Sequence, residues 1–256
     1  MNGTPMYGDL DRPPLRAAAL ARALEPDGWQ VEVLSRAPST QTVMRDRVHA
    51  QPPGHAQGLV IVAEEQTDGR GRLDRSWVSP PRAGLTCSVL LRPDLPVDRW
   101  GWVPLLAGLA VAQAVREQTE LEAVVKWPND VLVDGKKVAG LLAEVIDGAV
   151  VLGIGLNVTT RADELPHEQA TSLLLAGATM TDRETLLKAV LRGLSGVLGD
   201  RDYSSYRELC STLGRQVRVE LPGGGSVEGQ AEAVDVDGRL VVAGVAYAAG
   251  DVVHLR

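Results

Sequence analysis

Two short segments carry residue types suited to binding a phosphate-bearing ligand. The first, EEQTDGRGRLDRSW (residues 64–77), alternates glycine and arginine at residues 69–72. Glycine lets backbone N–H groups approach an anion, and arginine neutralises it. The segment is not a dinucleotide-binding fingerprint, because Asp74 stands where the third glycine is required. This pattern fits a solvated surface loop. It also fits a mobile loop that closes over a reactive intermediate.

The second segment, KWPNDVLVDGKKVAG (residues 126–140), concentrates residue types that are rare in the chain. Only four lysines occur, and Lys126, Lys136 and Lys137 fall within twelve residues. Arginine does not replace lysine where a compact point charge is needed, so the cluster indicates function. Lys126 could be a surface lysine, but an apolar run and a tryptophan flank it, so we expect it to be drawn inward. Lys137 should return to the same place across a hairpin.

Polar and small residues elsewhere suggest further parts of a site. Asp130 is either a turn carboxylate or a ligand for Mg²⁺, which takes one or two carboxylates and shares substrate phosphates. Gly153 and Gly155 lie on one face of a strand, where a flat group could approach the backbone or the strand could bend. Asn157 could bind an adenine edge or a ligand carbonyl. A carboxylate, lysines and an arginine loop together suit nucleotidyl transfer.

Composition excludes several classes of protein. The formal net charge of −7 argues against a non-specific nucleic-acid binder. The two cysteines are far apart without metal-binding spacing, and the four histidines are scattered, so we expect no zinc site. No apolar run approaches the about 20 residues of a membrane span, and no signal peptide is evident. These features predict a cytoplasmic protein in a reducing setting.

Turn signals predict the element order. The pairs Asp134-Gly135 and Asp147-Gly148 each separate β-branched runs, which indicates consecutive hairpins and an antiparallel sheet. Helices are expected over residues 99–119 and 182–198, and short glycine-punctuated β runs near the end suit a small barrel. The predicted domains are a loose tail with a short helix (1–28), a catalytic domain (29–212) and a small C-terminal domain (213–256).

The motifs resemble those of biotin–protein ligases, which join biotin to a lysine of a carrier domain. GRGR followed by Trp77, then KWPND…KKVAG and GIGLN, occur in the order and spacing of that family. APSTQT is similar to its Ser-Thr element, and GDVVHLR to the end of its C-terminal domain. The resemblance covers about Val31 to Arg256. It implies an α+β fold with a class II aminoacyl-tRNA synthetase-like antiparallel sheet and helices, plus a small C-terminal SH3-like β-barrel.

The resemblance also implies residue roles. Biotin would contact Ser39, Thr40, Gln41, Gln66, Arg70, Gly71, Arg72, Lys137, Gly153 and Gly155. ATP would contact Arg72, Trp77, Lys126, Asn129 and Asn157. Catalysis would use Lys137, Arg70 and Asp130, and Asp130 would also bind Mg²⁺. The implied partners are biotin, ATP and the biotin carboxyl carrier protein domain of a biotin-dependent carboxylase, with no DNA and no membrane.

Two departures from the family pattern qualify these expectations. Leu73-Asp74 replaces the Arg-Gly of many members, so the loop loses one cation and one hinge. Only about 28 residues precede Trp29, too few for the helix-turn-helix domain of bifunctional members, so we expect no repressor role. Two alternatives remain: a lipoate–protein ligase with the same acyl-adenylate chemistry, and a non-catalytic module whose Arg-Gly loop binds nucleic acid.

Overall fold

The computed structural model describes residues 12–50, 57–73, 75–199 and 202–255. The helices are α1 (Ala17–Leu24), α2 (Thr40–His49), α3 (Trp102–Thr119), α4 (Arg183–Gly199) and α5 (Ser204–Leu209), with 3-10 turns at Glu25–Asp27, Val97–Arg99 and Ala162–Glu164. The strands are β1 (Gln30–Leu34), β2 (Leu59–Ala63), β3 (Gly84–Leu91), β4 (Ala123–Lys126), β5 (Asp130–Val133), β6 (Lys136–Ile146), β7 (Ala149–Asn157), β8 (Gln216–Glu220), β9 (Ser226–Val234), β10 (Leu240–Val242), β11 (Val245–Tyr247) and β12 (Asp251–His254).

The larger sheet has seven strands in the order β1-β2-β3-β7-β6-β5-β4. Both predicted hairpins form, joining β5 to β6 and β6 to β7 in antiparallel pairs. Asp134, Gly135, Asp147 and Gly148 all have positive φ, at 50°, 75°, 48° and 71°. Two successive left-handed residues match the twist of a tight hairpin, which explains why Asp-Gly marks both turns.

The prediction of an antiparallel sheet is wrong at one edge, because β1 pairs with β2 in parallel. Helix α2 connects the two strands, and a parallel pair requires such a crossover. Met44 and Val48 of this helix pack with Ile61 and Leu90 in a small apolar cluster on the sheet. Burial of that helix face therefore fixes the direction of β1.

The two faces of the sheet are covered unequally. Helices α3 and α4 pack against each other and belong to the main apolar core, together with Leu85, Leu152 and Leu156 from the central strands. Helix α2 covers only part of the opposite face, over β2, β3 and β7. The glycine-bearing parts of β6 and β7 remain open on that face, and the candidate site lies there.

The C-terminal residues form a five-stranded antiparallel sheet in the order β11-β10-β9-β8-β12. Its interior residues Val217, Val219 and Leu240 join the same apolar cluster as the larger domain. The turn between β9 and β10 docks at the start of α3, where the Trp102 indole N–H donates to Val236 O at 3.0 Å. The small sheet is thus packed against the larger domain at the start of α3.

The predicted tail is partly fixed. Residues 1–11 lie outside the described part of the chain, but Arg12 and Pro13 are not loose. Arg12 pairs with Glu164 at 2.6 Å and donates to Thr159 O at 2.8 Å. Pro13 O accepts from Arg183 at 2.6 Å.

In the described ranges, no helix is long and apolar enough to cross a bilayer.

Candidate functional site

A cavity of about 360 Å³ opens on the uncovered face of the larger sheet. This volume lies within the range of small-molecule sites. The walls are the start of α2, the 64–77 loop, the KWPND turn, strands β6 and β7, and strand β12. Every residue predicted for the site lines this one cavity: Ser39, Thr40, Gln41, Gln66, Arg70, Gly71, Arg72, Trp77, Lys126, Asn129, Asp130, Lys137, Gly153, Gly155 and Asn157.

One end of the cavity is built from neutral hydrogen-bonding groups at the start of α2. Ser39 is the N-cap, and its hydroxyl accepts from Gln41 N–H at 3.2 Å, as expected for a helix-capping serine. Thr40 N–H donates to Gln66 Oε1 at 2.8 Å, and the Gln41 side-chain amide donates to Val151 O at 3.0 Å. These bonds fix which way both amide groups point.

Ser88 belongs to the same network and was not predicted. It is fully buried on β3, with its Oγ 3.0 Å from Gln41 Oε1 and 2.9 Å from Thr40 Oγ1. Since the amide oxygen can only accept, the serine hydroxyl donates to Gln41. The available signal was the alternation of Thr86 and Ser88 in the apolar strand GLTCSVLL, which places both hydroxyls on the site face.

The floor of the cavity is made of glycine. Gly140 and Gly155 are directly paired across β6 and β7, and the Trp77 ring lies on both. A Cβ atom at Gly155 would stand 2.6 Å from Trp77 Cζ2, and one at Gly140 would stand 3.1 Å from Cζ3. A Cβ atom at Gly153 would meet the Gln41 amide oxygen at 2.9 Å. The predicted close approach to this strand is therefore made by a tryptophan and an amide.

The other end of the cavity is cationic. Lys137 Nζ lies 2.6 Å from Asp130 Oδ1 and 5.8 Å from the Trp77 ring centroid. Lys126 is half-buried opposite Asp130 in the β4–β5 ladder, in agreement with the prediction that it is drawn inward. Burial lowers the pKa of Lys126, Asp130 opposes this effect, and the Lys137 charge adds to it. An anion placed here would relieve the repulsion between the two lysines.

The arginine loop is a short hairpin over the cavity. Gly71 N–H donates to Arg75 O and Trp77 N–H donates to Gly69 O, both at 2.7 Å. Arg72 donates to Asn129 Oδ1 at 2.9 Å, and burial lowers the pKa of its guanidinium group.

Two further contacts tie the loop to the rest of the chain. Arg70 Nη1 is 3.8 Å from a Glu144 carboxylate oxygen on β6, and Arg75 pairs with Asp251 on β12. The departure from the family pattern falls at the tip, where Leu73 is half-exposed with a φ of 53°. Asp74 lies outside the described residues. Sequence reasoning gave no role to Glu144 or Asp251, because both act through residues distant in the chain.

Two asparagines predicted to bind a nucleotide are oriented by the backbone. The Asn129 amide nitrogen donates to Leu141 O at 2.9 Å, and the Asn157 amide nitrogen donates to Thr171 O at 3.0 Å. Asp130 directly follows Asn129 and supplies a carboxylate to the same cavity. Among the described residues, no group of three His, Cys, Asp or Glu side chains could hold a metal ion. A single carboxylate suits Mg²⁺ that arrives with a nucleotide and keeps the phosphates as further ligands.

The cavity offers neutral hydrogen-bonding groups at one end and cationic side chains at the other, an arrangement suited to charge-stabilised group transfer. Residues 33–160 match the profile of the Biotin/lipoate A/B protein ligase family, and residues 212–255 match that of the biotin protein ligase C-terminal domain. The biotin--[acetyl-CoA-carboxylase] ligase of Mycobacterium tuberculosis is 42% identical over 97% of this chain and 98% of its own length. The chain belongs to the biotin protein ligase family.

Other relatives agree with this assignment. The bifunctional ligase/repressor BirA of Bacillus spizizenii is 36% identical over 60% of this chain and 49% of its own length. Among solved structures, the biotin protein ligase of Aquifex aeolicus in complex with biotin and ATP superposes with a TM-score of 0.71 at 30% identity. That superposition covers 88% of this chain and 98% of the other.

Proposed function

We propose that this protein activates biotin with ATP as biotinyl-5′-AMP and transfers the biotinyl group to a lysine of the biotin carboxyl carrier domain of a biotin-dependent carboxylase. The observation that carries this proposal is the single cavity with a neutral amide-and-hydroxyl end and a cationic end, joined by a glycine floor under Trp77. The similarity to a biotin protein ligase crystallised with biotin and ATP supports it.

The neutral end suits the ureido ring of biotin. That ring has one carbonyl that accepts hydrogen bonds and two N–H groups that donate them. The hydroxyls of Ser39 and Thr40 and the amides of Gln41 and Gln66 offer both kinds of partner. The dithiolane ring of lipoate has neither group, so it would form none of these hydrogen bonds. Such a site rejects the ligand that lacks the hydrogen-bonding groups, which favours biotin over lipoate.

The cationic end suits the activation step. A biotin carboxylate oxygen attacks the α-phosphorus of ATP, and the bond from that phosphorus to the pyrophosphate oxygen breaks. Lys137, Arg70 and Arg72 would stabilise the charge that develops on the carboxylate and the α-phosphate. Asp130 would hold the Mg²⁺ that accompanies the nucleotide and screens its phosphates. Its contact with Lys137 keeps the ammonium group at the same place before the nucleotide arrives.

The nucleotide and the loop complete the site. Trp77, Lys126, Asn129 and Asn157 would contact ATP, and Gly71 would let biotin lie close to the backbone. Gly153 and Gly155, which admit the Gln41 amide and the Trp77 ring, would border the biotin site. The loop would keep water from the mixed anhydride. The carrier lysine, as a free amine, then attacks the acyl carbon, the bond to AMP breaks and a proton leaves the nitrogen. Asp130 would also orient that lysine.

We extend the proposal to the finer fold and setting. Residues 29–212 would form a class II synthetase-like catalytic domain, and residues 213–256 an SH3-like barrel. The mainly antiparallel larger sheet and the five-stranded smaller sheet support this division. A cytoplasmic location is supported by Cys87 and Cys210, which are both free and buried.

Biotin-dependent exchange of pyrophosphate into ATP tests the proposal. With Mg²⁺ present, the wild-type protein should catalyse exchange with biotin and not with lipoate. Lys137→Ala should lose about a hundredfold or more, as expected when a charge-stabilising donor is removed. The matched control is Lys136→Ala, which removes the exposed neighbouring lysine and should change exchange less than about twofold. Exchange with lipoate alone, or equal losses in both variants, would contradict the proposal.

A further inference from the structure

The KWPND segment is held from outside its own sheet. The Trp127 side chain is buried, and its indole N–H donates to Gly238 O at 3.1 Å. The Trp127 backbone N–H donates to Thr212 Oγ1, also at 3.1 Å. Gly238 lies in the β9–β10 turn of the small sheet, and Thr212 directly precedes that sheet. Both hydrogen-bond donors of this tryptophan are therefore satisfied by the C-terminal part of the chain.

Thr212 also contacts the last strand, β12. The threonine is fully buried, and its Oγ1 lies 3.2 Å from His254 Nε2 on β12. Because the hydroxyl oxygen accepts from Trp127, its hydrogen is free to donate to an unprotonated Nε2. Burial lowers the pKa of His254 to about 4, and the charges of Lys126 and Arg215 add to this effect. The imidazole is therefore neutral at neutral pH and suited to accept.

The hydrogen-bonded chain ends at groups that line the cavity. Trp127 lies between Lys126 and the segment that carries Asn129, and both of those side chains face the site. Asn129 in turn accepts from Arg72 of the loop. Neither Thr212 nor His254 lines the cavity. The hydrogen bonds from Thr212 to Trp127 and His254 therefore link these two residues to the site through the KWPND backbone.

We propose that Thr212 and His254 are positioning residues that hold the KWPND segment where it binds the nucleotide, so that the C-terminal strand sets ATP affinity without His254 touching ATP. This inference rests on the proposed function. The biotin end, built on α2 and Gln66, is supported by separate hydrogen bonds. Loss of the Thr212 hydroxyl should therefore weaken ATP binding and leave biotin binding unchanged.

The test compares Thr212→Val, which keeps the shape and removes the hydroxyl, with Thr212→Ser, which keeps the hydroxyl. Thr212→Val should raise the KM for ATP in pyrophosphate exchange about tenfold, equivalent to about 1.4 kcal/mol. The Kd for biotin alone, measured by calorimetry, should stay within about twofold of wild type. Thr212→Ser should restore the KM for ATP. His254→Leu should raise that KM by a smaller factor, and His254→Gln, which can still accept, should recover it.

The outcomes separate the inference from the function on which it rests. Wild-type protein without exchange would remove the proposed function. Active wild type with an unchanged ATP KM in Thr212→Val, or with equal losses of ATP and biotin affinity, would overturn only the positioning role. Should Thr212→Val fail to fold, the two His254 variants decide the matter. Equal ATP KM values for Leu and Gln at that position would overturn the inference.

Discussion

A methyl group added at Gly155 would test the closure of Trp77 over strand β7. The new Cβ atom would lie 2.6 Å from Trp77 Cζ2 and 2.7 Å from Nε1, whereas ordinary contact begins at 3.4 Å. The backbone at Gly155 is held on both sides, by pairing with Thr86 and with Gly140. The strand cannot retreat, so the indole ring must move by roughly 1 Å.

The size of the change in ligand affinity depends on which part of the structure carries the strain. Overpacking of this kind costs about 1–3 kcal/mol, and each 1.4 kcal/mol is a tenfold change in binding. Trp77 belongs to a surface loop, so the cost should fall on loop closure and not on unfolding. Gly155→Ala should therefore bind a non-hydrolysable biotinyl-AMP analogue about tenfold to a hundredfold more weakly, with a melting temperature within a few degrees of wild type.

Calorimetric titration of two further variants identifies the cause. Gly196→Ala in α4 is the control, since no atom lies within 4 Å of its added Cβ. It should gain up to about 1 kcal/mol of stability and keep its affinity. In a Trp77→Ala background, Gly155→Ala should cost less than about twofold. Wild-type affinity in Gly155→Ala, or an equal loss without the tryptophan, would refute the reasoning.

Three other substitutions or conditions have definite expected outcomes. Glu144→Gln removes the charge that lies 3.8 Å from Arg70 and that also pairs with Arg45 at 2.8 Å, so activated biotin should escape and label unrelated proteins, measured by blotting for biotin. Arg183→Met leaves the buried Glu64 carboxylate unpaired, which costs about 3–5 kcal/mol and should lower the melting temperature by about 10 °C in calorimetry. Because the pKa of His254 is about 4, below its usual 6.5, stability should be fully present above pH 6.5 and fall towards pH 4. The loss, about 1 kcal/mol after allowance for partial exposure, is measured by urea unfolding.

Each of these outcomes has a control. Glu32→Gln breaks an exposed pair with Arg47 and should leave biotin labelling confined to the carrier. Labelling that stays confined in Glu144→Gln as well would remove its anchoring role. Arg192→Met breaks a surface pair and should shift the melting temperature by at most a few degrees, and an equal shift in Arg183→Met would contradict the burial argument. In His254→Gln, the free energy of unfolding should decrease less at acidic pH than in the wild type. An unchanged decrease would show that another group causes the loss.

Local chemistry explains which parts of the fold could be predicted. The two Asp-Gly pairs predicted where the strands that they join begin and end. This was possible because a tight hairpin turn is determined by two neighbouring residues in left-handed conformation. Ser39, a residue type that favours the N-cap position, likewise stands at the start of α2. The parallel β1–β2 pair could not be found this way, since its direction depends on the packing of α2 against strands distant in sequence.

The site shows the same division. Its motif residues were found because the resemblance supplied them as a set, and they do surround one cavity. The residues that support the motifs were missed. Ser88 is 47 positions from Gln41, and Glu144 contacts Arg70 from another strand. Side chains that act through such pairings carry no pattern of their own in a single sequence.

The most direct measurement is the intact mass of a biotin carboxyl carrier domain after incubation with this protein, ATP, Mg²⁺ and equal amounts of biotin and lipoate. We predict the addition of one biotinyl group, at one lysine, only when ATP is present. Addition of lipoate, addition of biotin at many lysines, or an unmodified carrier would contradict the account.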